Sequence, residues 1–433
     1  MEKSALPKVL VVGISSWDKK SGSNTLQNIF KCWDKDKLSY LYTRSGLPNS
    51  DICDNFFRIS ENQLIKSVLT RRPIGQVVTN TNAKQEDKDL QTEIKRYKKA
   101  NMRKSWIMTF VRDAVWKFSV WKTKSLTVFL ESTNPDVLFI SIYPTIYMCR
   151  LQLYLIKKVK KPYLCYLSDD NYSYKPCGKN LLALLYRFFL RKYVRKIATG
   201  CAQMFTITET QAIETDSVFK TSSKILTKGI DFSHLTYSEP KINNPLHLVY
   251  TGNLLIGRLS TICEVAKAVA KINENGVKIV FDIYSQTAVK KKTLKILNFG
   301  GAVFHGEVSR EQIDDIQKKA DILLFAESLE KRYQYAARLS FSTKLTDYFA
   351  SGKCIFAIGN SSIAPIQYLQ KNDCALIASN YQSILPSLLK ITNDRNLIID
   401  YSRKAYDCGL KNHNKLNIDE YFMNTVVEVS KLK

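Results

Sequence analysis

Phe341-Ser-Thr-Lys-Leu-Thr-Asp-Tyr-Phe-Ala-Ser-Gly-Lys353, followed at once by Cys354-Ile-Phe-Ala-Ile-Gly359, is the stretch that decides the fold. Small polar residues at Ser342 and Thr343 lead into Leu345, Tyr348 and Phe349 at helical spacing, and the pattern stops at Gly352. The apolar run that comes next, 354–358, has the length of a buried parallel strand. The order is therefore turn, short helix, strand. Free backbone N–H groups at the start of such a helix carry partial positive charge and suit a phosphate, with Lys344 as an added point charge. Asp347, three positions on, shares the face of Lys344 and is placed to accept hydrogen bonds from a ribose. An ordinary αβ unit without a ligand accounts for the same pattern.

Upstream of this stretch the second half restarts after a polar connector, 238–245, taken as the interdomain linker. A strand over 246–250 precedes the loop 251–258, where Arg258 has the fork geometry to clamp a diphosphate bidentately. A strand over 278–284, a turn around His305-Gly-Glu-Val308, a helix over 310–319 and a strand over 321–325 follow. Strand and helix alternate throughout, which predicts a doubly wound parallel sheet.

The first half repeats the alternation. Residues 8–14 read as a strand, 15–23 as a small-residue loop and 24–33 as an amphipathic helix, the way a Rossmann-like domain begins. The loop lacks G-x-G-x-x-G, and no G-x-x-x-x-G-K-[ST] occurs, which removes the P-loop NTPases. Further on, a strand within 134–144, a helix over 145–159 and a strand over 163–167 end in Ser168-Asp-Asp-Asn171. Ligands in open α/β sheets sit at the carboxyl ends of strands, so the loops after these two strands are expected to share a crevice. There Asp169 and Asp170 would orient sugar hydroxyls or take up a proton. Capping of the next turn by the same carboxylates is the plain alternative.

The 433 residues suffice for two domains with separate cores, and 45% hydrophobic with 24% charged residues is the composition of a folded protein. A formal net charge of +26 must face something acidic: nucleic acid, anionic lipid or a phosphate-bearing substrate. Residues 61–130 hold 15 Lys/Arg against 6 Asp/Glu, and 179–196 hold six basic residues and no acid, so much of the charge lies in the first half. No zinc spacing or RNP-like run accompanies it, which argues against nucleic acid. The ten cysteines form no C-x-x-C pair and fit reduced thiols in a cytosolic protein. No signal peptide is read at the start, and no run approaches the roughly 20 apolar residues of a spanning helix. A soluble or surface-bound chain is expected.

Two segments bear on a membrane surface. After a polar stretch over 75–95, read as a mobile loop, Ile107, Val111, Ala114, Phe118 and Trp121 fall on one helical face. Lys95, Arg96, Lys98, Lys99, Arg103 and Lys104 crowd its start. A core-packing helix accounts for that face, while Trp106 and Trp116 off it leave room for a headgroup contact. Over 180–197, Leu182, Tyr186, Phe189, Leu190, Tyr193 and Ile197 form an apolar stripe. Arg187, Arg191 and Arg195 recur every fourth position beside Lys192 and Lys196, with Leu184, Leu185 and Phe188 among them. Apolar residues in excess of one stripe, with a basic flank, predict an in-plane interfacial helix; a solvated basic face over a core helix is the alternative.

Tyr250-Thr-Gly-Asn253, the His305 to Val308 turn, the 320–325 run and Lys344-Leu-x-Asp-Tyr-x-Ala-x-Gly-Lys-x-Ile-x-Ala357 together resemble the GT-B glycosyltransferases. More narrowly, the chain resembles the retaining, group-1-type enzymes of bacterial surface-polysaccharide synthesis (capsule, O-antigen, exopolysaccharide). The resemblance covers most of the chain and is specific over about 246–380. It implies α/β architecture with two Rossmann-like domains facing a cleft: an acceptor domain over 1–237, a nucleotide-sugar domain over 238–405, and a C-terminal helix over 406–433 crossing back to the first domain. It implies donor binding by Gly252, Asn253, Arg258, His305, Gly306, Val308, Phe341, Ser342, Thr343, Lys344 and Asp347, with the His305 turn against the base and Phe341 to Thr343 at the phosphates. Asp169 and Asp170 would be catalytic. Arg187, Phe188, Arg191, Lys192, Arg195 and Lys196 would face the membrane or acceptor.

Three departures from the family pattern stand out. The first acid of its Glu-x7-Glu motif falls on Leu339, with Glu327 or Glu330 as stand-ins; Asn253 replaces the arginine of the donor loop; no histidine occupies the Ser168 loop. The resemblance implies transfer of a sugar with retention from a nucleotide-sugar to a lipid-linked saccharide, by a protein peripheral on the inner face of the plasma membrane. No metal or other cofactor is expected, and no nucleic-acid partner. A sugar-nucleotide epimerase or hydrolase of the same fold, or an inactive membrane scaffold, remains as the alternative, the last encouraged by Leu339.

Overall fold

A computed structural model describes residues 6–18, 25–79 and 106–432. The basic cluster from Lys95 to Lys104, most of the polar stretch 75–95 and the end of the 15–23 loop lie outside the described residues. The chain forms two compact units, one running to Leu226 and taking in Asp419–Lys433, the other Thr227–Ile418. The boundary thus falls at 226/227 instead of 237/238. The reason is that 227–237 is tied to the helix Asn396–Asn412 and the residues just after it. Phe232 meets Tyr406 edge-on at 5.3 Å, Tyr237 Oη bonds Ser402 Oγ at 2.8 Å, and Ile230 N donates to His413 O at 2.7 Å. For the same reason residues 406–418 stay with the second unit, and only the chain beyond them returns to the first.

Among the described residues of the first unit eight strands run in the order β4-β3-β2-β1-β5-β6-β7-β8. They are β1 (Val9–Gly13), β2 (Leu38–Tyr42), β3 (Asn55–Arg58), β4 (Gln76–Val78), β5 (Val137–Ser141), β6 (Tyr163–Leu167), β7 (Gln203–Thr206) and β8 (Ser223–Ile225). All pairs are parallel except β3 with β4. β1, β2, β5 and β6 are buried along their whole length, which is why they read as unbroken apolar runs and not as alternating ones. Phe422, on the returning helix Lys415–Ser430, has no exposed surface and meets Phe30 at 5.1 Å, Trp33 at 5.8 Å, Phe205 at 5.8 Å and Phe139 at 5.9 Å.

The helix Trp106–Phe118 is rotated relative to the expected core face. Ile107, Val111 and Phe118 are 61%, 46% and 54% exposed, whereas Trp116 is buried, stacked on Tyr147 at 4.6 Å, and Trp106 lies against Tyr186 at 5.8 Å. The larger indole surfaces win the interior, and the aliphatic stripe is left outside. Trp121 alone of the expected face is buried. The helix Leu181–Ala198 is also turned: it buries Ala183, Tyr186, Arg187, Leu190, Val194 and Ile197, leaving Leu181, Leu182, Leu185, Phe188 and Phe189 exposed.

The second unit has six parallel strands in the order β11-β10-β9-β12-β13-β14. These are β9 (Leu246–Thr251), β10 (Ile279–Tyr284), β11 (Ala302–Gly306), β12 (Ile322–Ala326), β13 (Cys354–Ile358) and β14 (Leu376–Ala378). The opening stretch forms the helix Thr343–Ser351, ended by Gly352 in the left-handed conformation (φ 61°), and then β13, as its pattern predicts. Both units are doubly wound α/β sheets, and each chain path reverses direction once, between β1 and β5 and between β9 and β12. None of the ten cysteines is in a disulfide, and eight are buried.

Candidate active site

The reversal between β9 and β12 leaves a gap at their carboxyl ends, where open α/β sheets take ligands. Two loops border it. After β9 the chain runs to Gly257, whose φ of 76° lies in the left-handed region and which starts the helix Arg258–Ile272. A Cβ on Gly257 would overlap Ser328 Oγ and the Tyr333 ring, so only glycine lets this loop approach the segment after β12. The gap holds a cavity of about 110 Å3 lined by Tyr250, Asn253, Arg258, Glu327, Ser342, Lys344 and the β12 residues Leu324 to Ala326.

Its polar lining is a connected set. Arg258 Nε and Nη2 donate to the two oxygens of Glu327 at 3.1 and 2.8 Å, and Nη1 donates to Asn253 Oδ1 at 3.0 Å. Glu327 is buried, and its backbone carbonyl accepts from Thr261 Oγ1 at 3.0 Å. An arginine carries five N–H donors, so three of them orient the guanidinium and two remain for a ligand. Tyr250 Oη donates to Asn253 O at 2.6 Å, and Lys344 Nζ sits 5.2 Å from the centre of the Tyr250 ring. A Cβ on Gly252 would overlap that ammonium, so a side chain there would displace Lys344 from this position. Burial and the neighbouring Arg258 push the Lys344 ammonium down to about 8, with Glu327 opposing them. Two cations face one carboxylate. The surplus positive charge and the start of the helix Thr343–Ser351 have the chemistry that suits a phosphate-bearing anion.

Of the residues expected here, Asn253, Arg258, Ser342 and Lys344 line the cavity, Gly252 makes room for Lys344, and Thr343 opens the helix. Five do not join them. The Phe341 ring is buried between Tyr368, at 5.1 Å, and His413, at 5.4 Å, so it anchors the turn from inside. His305 and Gly306 belong to β11 and not to a turn; His305 Nε2 bonds Asp282 Oδ1 at 2.6 Å and its ring stacks on Tyr284 at 4.6 Å. Val308 follows that strand, outside the cavity lining. Asp347, one helical turn past Lys344, is paired with Lys228. Leu339 is buried. Glu327 is the residue whose role was least legible: an acid directly after the apolar run of β12 was the available signal, because that position must lie at the sheet's carboxyl edge.

In the first unit desolvation raises the Asp169 carboxyl above the ordinary range, a hydrogen bond from Ser168 opposing the rise and Asp170 adding to it. Asp170 closes a local turn, its oxygens accepting from Ser173 N at 2.9 Å and from Ser173 Oγ. The arginines of the helix Leu181–Ala198 hold the same loop. Arg187, buried, donates to Asp170 O at 3.4 Å; Arg191 donates to Tyr172 O at 3.1 Å and lies over its ring; Arg195 donates to Tyr172 Oη at 2.8 Å. Arg187 is therefore not a surface cation. Lys192 and Lys196 remain exposed, Lys192 over the Phe188 ring at 4.7 Å. Among the described residues no helix is long and apolar enough to cross a membrane, and no group of three or more His, Cys, Asp or Glu is placed to hold a metal.

No protein-family model and no curated protein sequence matches the chain. Solved structures do. HepE of Anabaena, in complex with UDP and glucose, superposes with a TM-score of 0.61 at 9% identity over 98% of this chain and 100% of its own. OtsA without ligand gives 0.61 at 11% identity over 98% and 100%. WaaG, a glycosyltransferase involved in lipopolysaccharide biosynthesis, gives 0.55 at 11% identity over 96% and 99%. At such identities the likeness shows the fold alone: this chain has the two α/β units of the GT-B fold.

Proposed function

We propose that the protein is a glycosyltransferase that takes a sugar from a nucleotide-sugar and passes it, with retention, to a lipid-linked saccharide at an anionic membrane surface, within surface-polysaccharide assembly. The observation that carries this is the cavity between β9 and β12, where Arg258, braced by Glu327, and Lys344 offer charge to a diphosphate. When the bond from sugar C1 to the phosphate oxygen breaks, charge develops on the leaving diphosphate, and fixed cations stabilise it without reorganising. The acceptor hydroxyl forms the new C1–O bond on the same face, and its proton passes to the departing phosphate oxygen. No metal has a part in this scheme. The structural neighbours bound to UDP and UDP-glucose support a UDP-sugar as the first donor to try.

A thermal-shift screen against UDP, GDP, CDP, ADP and their sugar conjugates tests it. One nucleotide series is expected to raise the melting temperature. Lys344→Met should weaken that ligand about 10- to 100-fold, the worth of a charge-assisted hydrogen bond of ~1.5–3 kcal/mol. Because Lys344 titrates near 8, wild-type affinity should fall as the pH rises from 7 towards 9.5, and the Lys344→Met protein should lack that decline. Absence of any nucleotide effect at millimolar ligand would favour an inactive scaffold.

The membrane part rests on the exposed apolar residues of two helices that pack on each other through Trp106, Phe110 and Tyr186. Ile107, Met108 and Val111 are exposed on one, and Leu182, Leu185 and Phe188 on the other, which also carries the exposed Lys192 and Lys196. Apolar side chains flanked by lysines complement an anionic bilayer surface. Sedimentation with phosphatidylglycerol vesicles is expected for the wild type. Leu185→Ser/Phe188→Ser/Lys192→Gln/Lys196→Gln should stay in the supernatant with an unchanged melting temperature; undiminished sedimentation would remove this face as the anchor.

A further inference from the structure

We propose that Lys228 is the positioning residue for Asp347, holding one carboxylate oxygen so that the other is presented to the vicinal hydroxyls of a ribose. This rests on the nucleotide site described above. Asp347 follows Lys344 by three positions on the helix Thr343–Ser351, so it extends the same helix face away from the phosphate end of the cavity. On that reading, a diphosphate held by Arg258 and Lys344 would leave the nucleoside sugar on this side. Lys228 Nζ bonds Asp347 Oδ1, and among the described residues Oδ2 accepts no hydrogen bond. Asp347 is 45% exposed at its side chain and open to a ligand, while Lys228 is 19% exposed.

The lysine stands on backbone that is hydrogen-bonded at both flanks. Thr227 Oγ1 bonds His413 Nδ1 at 3.1 Å, Ile230 N donates to His413 O at 2.7 Å, and Lys415 N donates to Ile230 O at 2.8 Å. Between them Gly229 lies so close to Lys415 that a Cβ would overlap its backbone. An ammonium carried on backbone tied at both flanks, and bonded to Asp347, removes rotamer freedom that a free aspartate would lose on binding. A carboxylate held by one oxygen keeps the lone pairs of the other for the 2′ and 3′ hydroxyl donors.

Titration calorimetry of the full chain with UDP, 2′-deoxy-UDP and 3′-deoxy-UDP tests this, with GDP, CDP and ADP in place of UDP if those are what bind. Lys228→Met is expected to weaken the ribonucleotide about three- to tenfold, the scale of ordering one side chain, and to change the deoxy analogues less. Lys228→Arg should restore part of the loss, and Asp347→Asn should abolish the difference between ribo and deoxy ligands. A melting temperature measured without ligand checks that each variant is folded. Equal weakening of all three ligands shows a structural role only and overturns the inference, as does tighter ribonucleotide binding, which would make Lys228 a competitor. If the wild type binds no nucleotide at all, the reading of the site fails and this inference with it. If it binds them without a response to Lys228→Met, only the inference fails.

Discussion

Replacing Glu327 with alanine is expected to destabilise the second unit by about 3–5 kcal/mol, the cost of breaking a buried ion pair from one side. Both carboxylate oxygens are engaged by Arg258, and the acid is 6% exposed, so the variant leaves a partly buried guanidinium with only Asn253 to meet it. Nucleotide stabilisation should vanish in the same variant, because the fork that presents two N–H groups to the cavity is no longer held. Scanning calorimetry with and without UDP separates the effects. Arg258→Met/Glu327→Leu, which replaces the pair by apolar groups, should recover most of the stability and none of the binding. If Glu327→Ala melts like the wild type, the pair is not what braces the loop.

Phe422→Ala is expected to cost the first unit a similar ~3–5 kcal/mol, since a ring with no exposed surface and four aromatic neighbours leaves a cavity that the sheet cannot close. The five tryptophans, Trp17, Trp33, Trp106, Trp116 and Trp121, all lie in that unit. Tryptophan fluorescence therefore follows its unfolding alone. In urea the fluorescence midpoint should fall, while the shift produced by nucleotide in the second unit's calorimetric transition stays as in the wild type. An unmoved midpoint would contradict the packing described for the returning helix.

What the sequence revealed and what it hid follow from the same physics. β5, β6 and β13 were legible because strands covered on both faces need unbroken apolar runs. β11 was read as a turn because it lies at the sheet edge, where Val303 and His305 are exposed and the run is broken. The helix Trp106–Phe118 has large apolar residues on both sides, so periodicity located the helix and not its inward face. Arg258 and Lys344 could be placed from local pattern alone, each beginning a helix after a strand or turn. Glu327 and Lys228 could not. The partner of the first is 69 residues away and that of the second 119, and only the strand order brings them together. The burial of the Phe341 ring was hidden for the same reason, because the ring it packs on, His413, comes from the far end of the second unit.

The return of the chain to its starting unit also sets an order of events during synthesis. The first unit is left at Leu226 and resumed at Asp419, so the 192 residues of Thr227–Ile418 are an insertion within it. At roughly 5–20 residues per second, about 10–40 s separate the emergence of β8 from that of Phe422. Throughout that interval the site on Phe30, Phe139 and Phe205 waits without its ring. The unit that leaves the ribosome first is thus the last to close, and the second unit is complete before it.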